Sequence, residues 1–464
     1  MAKGTARPVP TATPVPGRIT LGTKLGFGVA DLGGNLFFTA MGFWTLFYLT
    51  DVVGIPAALA GAVFWIGKLW DAVTDPLAGF LSDRTRTRLG RRRPWMLAGA
   101  IPLFLAMWYF FTKPGFEGPM ALAVWASFAL MLLNTAYTVV NIPYNSLTPD
   151  LTDDYHQRMS LNGIRFGFAV VGTMIGAAAV QPLVAAFPSQ GAGFSAAGAI
   201  LGAVMALSAL TTAVSVREGP HSRAPVPKEG FFETFAGVFK DKAYLVILFT
   251  YALHLTGLAF VQGVLVYYFK WLYRNEAAAT LAMVILLVVA MAFIPVSVLV
   301  SKRIGKKRTY QVCFAILSAA TLAVWAFGHR LGVGFFYGAM VFAGIGVGFG
   351  YAAPWAMLPD VVELDAIRTG KRKEGAFYGI WTFMNKVGAA LAAGLSGLAL
   401  QLSGYDAALA AQPDAALSAI RAVIGLVPAL VFIAAFVLVE RYPVDEKTYA
   451  AALAGSRGDG TGKA

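Results

Sequence analysis

The chain alternates between long apolar stretches and short polar breaks. Runs of at least about 18 apolar residues, enough for a helix to cross the hydrocarbon of a bilayer, lie near residues 24–50, 57–82, 95–112, 119–147, 160–186 and 193–216. A second set lies near 244–271, 277–300, 309–328, 332–359, 375–403 and 417–439. One polar link, Arg217 to Lys242, separates the two sets. The pattern predicts an all-α membrane protein of twelve transmembrane helices in two six-helix halves, residues 23–216 and 243–442. The link at 217–242 opens Pro-rich, then offers Phe231, Phe232, Phe235 and Phe239 beside Lys240 and Lys242, which predicts a short helix lying in the membrane interface. Residues 1–22, rich in Pro, Thr and Ala, have no apolar core before a cleavage site and read as a flexible tail rather than a signal peptide. Residues 443–464 read as a second tail.

Basic residues fall at matching places in the two sets. Arg84, Arg86, Arg88, Arg91, Arg92 and Arg93 follow the second stretch; Lys302, Arg303, Lys306, Lys307 and Arg308 follow the eighth. Gly90 before three arginines mirrors Gly305 before Lys-Lys-Arg. A duplicated six-helix unit explains this, and parallel halves of that kind characterise the major facilitator fold. Both clusters, the link and Arg368 to Lys373 map to one side, so the positive-inside rule puts both termini in the cytoplasm of a multi-pass protein of the inner (plasma) membrane.

Composition agrees. Of 464 residues 58% are hydrophobic and only 13% charged, about half the charged share of a soluble domain. The net charge of +13 sits in short loops, which argues against nucleic acid as a partner. One cysteine, Cys313, and four scattered histidines offer no metal-ligand spacing and no nucleophile set, so the chain is read as a non-enzyme without a cofactor. A channel would want a pore ring repeated in an oligomer, whereas this chain carries its own twofold repeat and nothing in it requires more than a monomer.

Charged groups inside apolar stretches are expensive and point to function. Asp71 and Asp75 stand four apart on one helix face, with Lys68 a turn earlier. Two carboxylates can hold a hard cation such as Na⁺ through oxygen, and Lys68 could neutralise one of them; the alternative is an aspartate that ties down the following loop. Asp31 and Asn35 share a face of the first stretch. Asn134, Tyr137, Thr138 and Asn141 form a polar stripe before Pro143 in the fourth, lining a cavity or gluing helices. Arg165 and Lys386 lack local partners, so each is expected to pair with a carboxylate of another helix, to hold a solute group or to brace the halves. Trp355, Trp381, Tyr137 and Tyr144 could stack on sugar rings or belong to the interfacial belt. His254 reads as a packing or hydrogen-bonding residue.

The ordered set Lys-Leu-Gly-Phe-Gly-Val-Ala-Asp at 24–31, Trp-Asp-Ala-Val-Thr-Asp-Pro at 70–76, Arg-Leu-Gly-Arg-Arg-Arg-Pro-Trp at 88–95, Asn-Ile-Pro-Tyr-Asn-Ser-Leu at 141–147 and Gly-Lys-Arg-Lys-Glu-Gly-Ala-Phe-Tyr-Gly at 370–379 resembles the glycoside-pentoside-hexuronide:cation symporter family of the major facilitator superfamily. The resemblance implies a symporter that couples a cation, Na⁺ or H⁺, to uptake of a sugar or glycoside. It implies Asp71 and Asp75 as cation carboxylates, Thr74 and Thr138 as oxygen donors beside them, Lys386 at the same centre and Arg165 at the sugar. Two aspartates that grip galactosyl hydroxyls in melibiose permease, a member of that family, align with Asn35 and Asn141 here, where an amide gives weaker hydrogen bonds than a carboxylate. Pro-Trp-Ala-Met-Leu-Pro-Asp-Val-Val at 354–362 also resembles sodium-dependent lysophospholipid symporters, which implies a lipid solute as the alternative. Alternating access would rock the halves about the central site. The basic clusters after the second and eighth stretches, Arg91, Arg92 and Arg93 among them, would then latch the cytoplasmic side to acidic helix ends such as Asp83, Asp150 and Asp360.

Overall fold

A computed structural model describes residues 19–147, 151, 155–218, 238–239, 241–369 and 374–444. Residues 1–18 and 445–464 of the expected tails, Asp150, and Phe231, Phe232 and Phe235 of the expected interfacial helix lie outside the described residues, as does the Asp83 side chain; Leu21 and Gly22, expected in the first tail, already belong to the first helix, which Thr20 caps.

The described residues form helices and turns, with no β-strand among them. The first six helices are α1 (Leu21–Phe47, continued by a π-turn Tyr48–Val53), α2 (Ala57–Arg84), α3 (Arg93–Phe110), α4 (Pro119–Asn145), α5 (Tyr155–Ala178, extended by Val180–Ala185) and α6 (Gln190–Ser215). The second six are α7 (Lys242–Leu272), α8 (Ala278–Ile304), α9 (Lys306–Ala323), α10 (His329–Thr369), α11 (Glu374–Leu402) and α12 (Asp414–Arg421, continued through a π-turn into Val427–Glu440). Local chemistry starts them: Thr20, Ser189 and Asp241 accept N–H groups of the first turns of α1, α6 and α7, and Pro follows the caps of α3 and α4.

Among the described residues, ten helices are long and apolar enough to cross a membrane. Two features separate that number from the expected twelve. Lys306–Thr369 counts as one run of 64 residues, roughly 96 Å of helix against about 30 Å of hydrocarbon, yet Gly332, at φ 78°, breaks it and α9 packs on α10. The other is α3, whose 18 residues include Arg93, Pro94 and Pro102. Lipid must cover much of the surface, since only 17% of the most apolar part of α8 is buried within the protein.

The packing repeats. In the first half α1 packs on α5 and α6, α3 on α4 and α6, and α2 on α4; in the second α7 packs on α11 and α12, α9 on α10 and α12, and α8 on α10. Adding six to each helix number turns one set into the other. Across the halves α1 meets α7, α2 meets α11 and α5 meets α8. Small residues permit the α2–α11 approach: a Cβ on Gly397 would lie 2.3 Å from the Ala57 carbonyl oxygen, and one on Gly61 only 3.1 Å from that of Ala393. That approach carries charged residues of the two halves to one another.

Candidate functional site

Halfway along α2, Lys68, Asp71, Thr74 and Asp75 occupy one face, because positions three and four apart align on a helix. The α11 lysine reaches them from the other half. Lys386 Nζ contacts Asp75 Oδ2 and lies 3.4 Å from Asp71 Oδ2, while Lys68 Nζ approaches the same Asp71 oxygen at 3.4 Å. From α4, Thr138 Oγ1 donates to Asp75 Oδ1 at 2.7 Å. Asn134 donates to the Gly67 carbonyl at 3.1 Å, and the Thr74 hydroxyl donates to that of Trp70 at 3.2 Å. Asp71 is 5% exposed at its side chain, and its Oδ1 is buried with no hydrogen-bond partner. A buried carboxylate oxygen without a donor is costly, and here it is the one vacant acceptor in a cluster of two carboxylates and two ammonium groups.

A second polar chain runs through α1, α4 and α5. Arg165 Nε donates to Asp31 Oδ2 at 2.5 Å and its Nη2 to Asp31 Oδ1 at 3.2 Å, a two-pronged pair. The same Nη2 reaches Asn145 Oδ1 at 2.9 Å, and Tyr144 donates to Asp31 Oδ2 at 2.7 Å. Asn145 donates to Asn141, which donates to Tyr137, each at 2.5 Å. Asn35 turns its amide to the Asp31 carbonyl of its own helix at 2.9 Å. The lone arginine and lysine of the apolar stretches therefore do meet carboxylates of other helices.

The second half carries an aromatic cluster. Trp381 of α11 stacks on Tyr251 of α7 with centroids 4.1 Å apart, and both are buried. Trp355 of α10 sets its edge against both rings and remains 48% exposed. One turn earlier Tyr351 meets Phe166, the neighbour of Arg165, at 6.3 Å across the halves. Of the four aromatic residues considered from sequence, Trp355 presents an open face. Tyr144 is buried and bound to Asp31, Trp381 is buried in packing, and Tyr137 lies against Phe37 at 4.2 Å.

At the basic end the first loop is braced by the start of the link and the second by its own half. The backbone N–H groups of Arg91, Arg92 and Arg93 donate to the Glu218 carboxylate at 2.7, 2.8 and 2.8 Å, and Arg93 Nε donates to the Ala213 carbonyl. Lys306 pairs with Asp360 at 2.6 Å. At the opposite end lies a constellation that sequence reading missed. Asp51, fully buried, receives Lys270 Nζ at 2.5 Å, Tyr405 Oη at 2.9 Å on both oxygens and Thr50 Oγ1 at 2.6 Å. Thr50 also bonds Tyr267 of α7 at 2.6 Å. Burial and the Asp51 charge push the Tyr405 hydroxyl far above its ordinary range, so it stays a donor. In sequence Asp51 is only a charge at the end of an apolar run, which carries no signal of burial.

With this geometry in view, the comparisons place the chain among transporters. The family model described as MFS/sugar transport protein matches residues 26–446. An uncharacterised symporter of Synechocystis sp. is 30% identical, covering 91% of this chain and 94% of its own. The isoprimeverose transporter of Lactiplantibacillus pentosus is 28% identical over 91% of this chain and 88% of its own. The sodium-dependent lysophosphatidylcholine symporter 1-A of Danio rerio is 25% identical over 92% and 87%. In fold the chain is similar to the crystal structure of the nucleoside transporter NupG, with a TM-score of 0.63 and 17% identity over 90% of this chain and 99% of that one.

Proposed function

The chain belongs to the MFS/sugar transport protein family, a multi-pass transporter and not an enzyme, and from that premise we propose that it is a symporter that couples a monovalent cation, Na⁺ or H⁺, to uptake of a sugar or glycoside. The observation that carries the coupling is the Asp71–Asp75 pair of α2, Asp71 buried and Asp75 partly buried, held by Lys386 of the other half, with Asp71 Oδ1 left without a donor.

In this reading Asp71 and Asp75 take the cation, with the Thr138 and Thr74 hydroxyl oxygens beside them. A cation there displaces Lys386 and so breaks an ion pair between the halves. Asp31, Arg165, Asn35, Asn141 and Tyr137 supply donors and acceptors for sugar hydroxyls, and Trp355 offers its open face to the ring, as aromatic residues with one apolar side and one polar end do. Cation and solute favour the rocking step together, which is a coupling free energy between two sites. The Asp51 cluster joins the halves at the end opposite the basic loops, and the basic end is assigned to the cytoplasm of the plasma membrane with both termini. The protein works as a monomer in the bilayer, its halves at 23–216 and 243–442, with the Arg91–Arg93 loop bracing the basic end.

The test is uptake into proteoliposomes of labelled glycosides, pentosides, hexuronides and lysophospholipids under imposed Na⁺ or H⁺ gradients. Gradient-driven sugar uptake that Asp75→Asn abolishes is expected. Uptake of lysophospholipid alone would replace the sugar reading with a lipid one, and uptake indifferent to both gradient and Asp75 would refute coupling.

A further inference from the structure

Resting on that symporter reading, we propose that Lys68 sets the number of coupling cations at one. The argument is a charge count taken half by half. Within the first half, Asp71 and Asp75 bring two negative charges and Lys68, on the same helix and 3.4 Å from Asp71 Oδ2, brings one positive. Because Lys68 and Asp71 are three residues apart on α2, that pair travels as one body whatever the halves do. What remains is a single negative charge.

The second half contributes Lys386, which contacts Asp75 and lies 3.4 Å from Asp71. Lys386 and a coupling cation are therefore alternative occupants of one singly negative site. The neighbouring α4 adds only uncharged groups, Asn134 and Thr138. Asp31 of α1, a further carboxylate of the same half, is engaged on both oxygens by Arg165.

One monovalent cation in place of Lys386 leaves the buried site neutral. A second would leave a net positive charge inside the membrane, where no water solvates it. Without Lys68 the count changes: two carboxylates, one of them with a vacant buried oxygen, become a doubly negative site that favours two monovalent cations. Lys68 is in this sense a tethered cation that occupies the second place permanently.

The experiment compares native protein, Lys68→Met and Lys68→Arg in proteoliposomes with the membrane potential clamped to zero. It reads the steady accumulation of solute against the cation gradient and the Hill coefficient of cation activation. For a tenfold gradient the native protein and Lys68→Arg are expected to accumulate solute about tenfold with a Hill coefficient near one, and Lys68→Met about a hundredfold with a coefficient rising toward two, since each coupled ion adds one factor of the gradient. A native coefficient near two, or a Lys68→Met protein that still follows the first power, would overturn the proposal while leaving symport intact. A native protein with no gradient-driven uptake would instead refute the symporter reading itself. Should Lys68→Met fail to fold, shown by loss of a monodisperse species in detergent, the native and Lys68→Arg stoichiometries decide: any value other than one in either removes the proposal.

Discussion

Replacing Asp51 by Asn should open the end of the bundle opposite the basic loops. The Asp51 carboxylate is buried and joins three chain segments: Lys270 of α7, Tyr405 of the loop between α11 and α12, and Thr50 of its own helix. The amide keeps the shape but loses the charge and one acceptor, and it leaves the mostly buried Lys270 ammonium without its counterion. Breaking one side of a buried pair costs about 3–5 kcal/mol. That cost falls only on the closed arrangement, because opening lets water reach Lys270. A shift of about 3 kcal/mol changes the ratio of open to closed states by roughly a hundredfold. Spin labels at cysteines placed on the outer ends of α1 and α7, in a background where Cys313, the single cysteine, is replaced by serine, would report the change as a longer distance population. Adding Lys270→Met should restore part of the closed population, since an apolar group in the same place needs no counterion. An unchanged distance distribution in Asp51→Asn, or strictly additive effects of the two substitutions, would refute the idea that this carboxylate locks the outer end.

Three further outcomes are expected. Arg165→Lys keeps the charge but loses the two-pronged geometry toward Asp31; at about 1.5–3 kcal/mol for a charge-assisted bond, solute affinity measured by equilibrium binding should fall by one to two powers of ten while the protein remains folded. Gly397→Val places a side chain where Ala57 backbone already stands, so α2 and α11 cannot close, and thermal unfolding in detergent should occur at lower temperature, with gradient-driven uptake lost. Glu276, outside the membrane helices, has its carboxyl raised by burial, with Asp51 adding to the shift and Lys270 opposing it. The folded state therefore binds this proton more tightly than the unfolded one, and its contribution to stability is lost as pH rises from the ordinary carboxylate value through the raised one; a series of melts against pH should show this decline in the native protein and a flatter profile in Glu276→Gln.

How far the chain could be understood without coordinates depends on the range of each interaction. Helix positions and an all-helical membrane fold were legible, because a bilayer demands a long apolar run for every crossing and tolerates few exceptions. The face shared by Asp71 and Asp75 was legible for the same reason: it follows from the period of one helix. The paired basic loops revealed the repeat, and the main helix pairs of each half reproduce it. Helical period, however, says which residues share a face and not which helix that face meets. Only tertiary packing brought Lys386 to Asp75 and Arg165 to Asp31, buried Trp381 while leaving Trp355 open, and held the Arg91–Arg93 loop through backbone N–H groups on Glu218 rather than through its side-chain charges alone. The same packing made a lock of Asp51, whose partners lie 219 and 354 residues away in the chain.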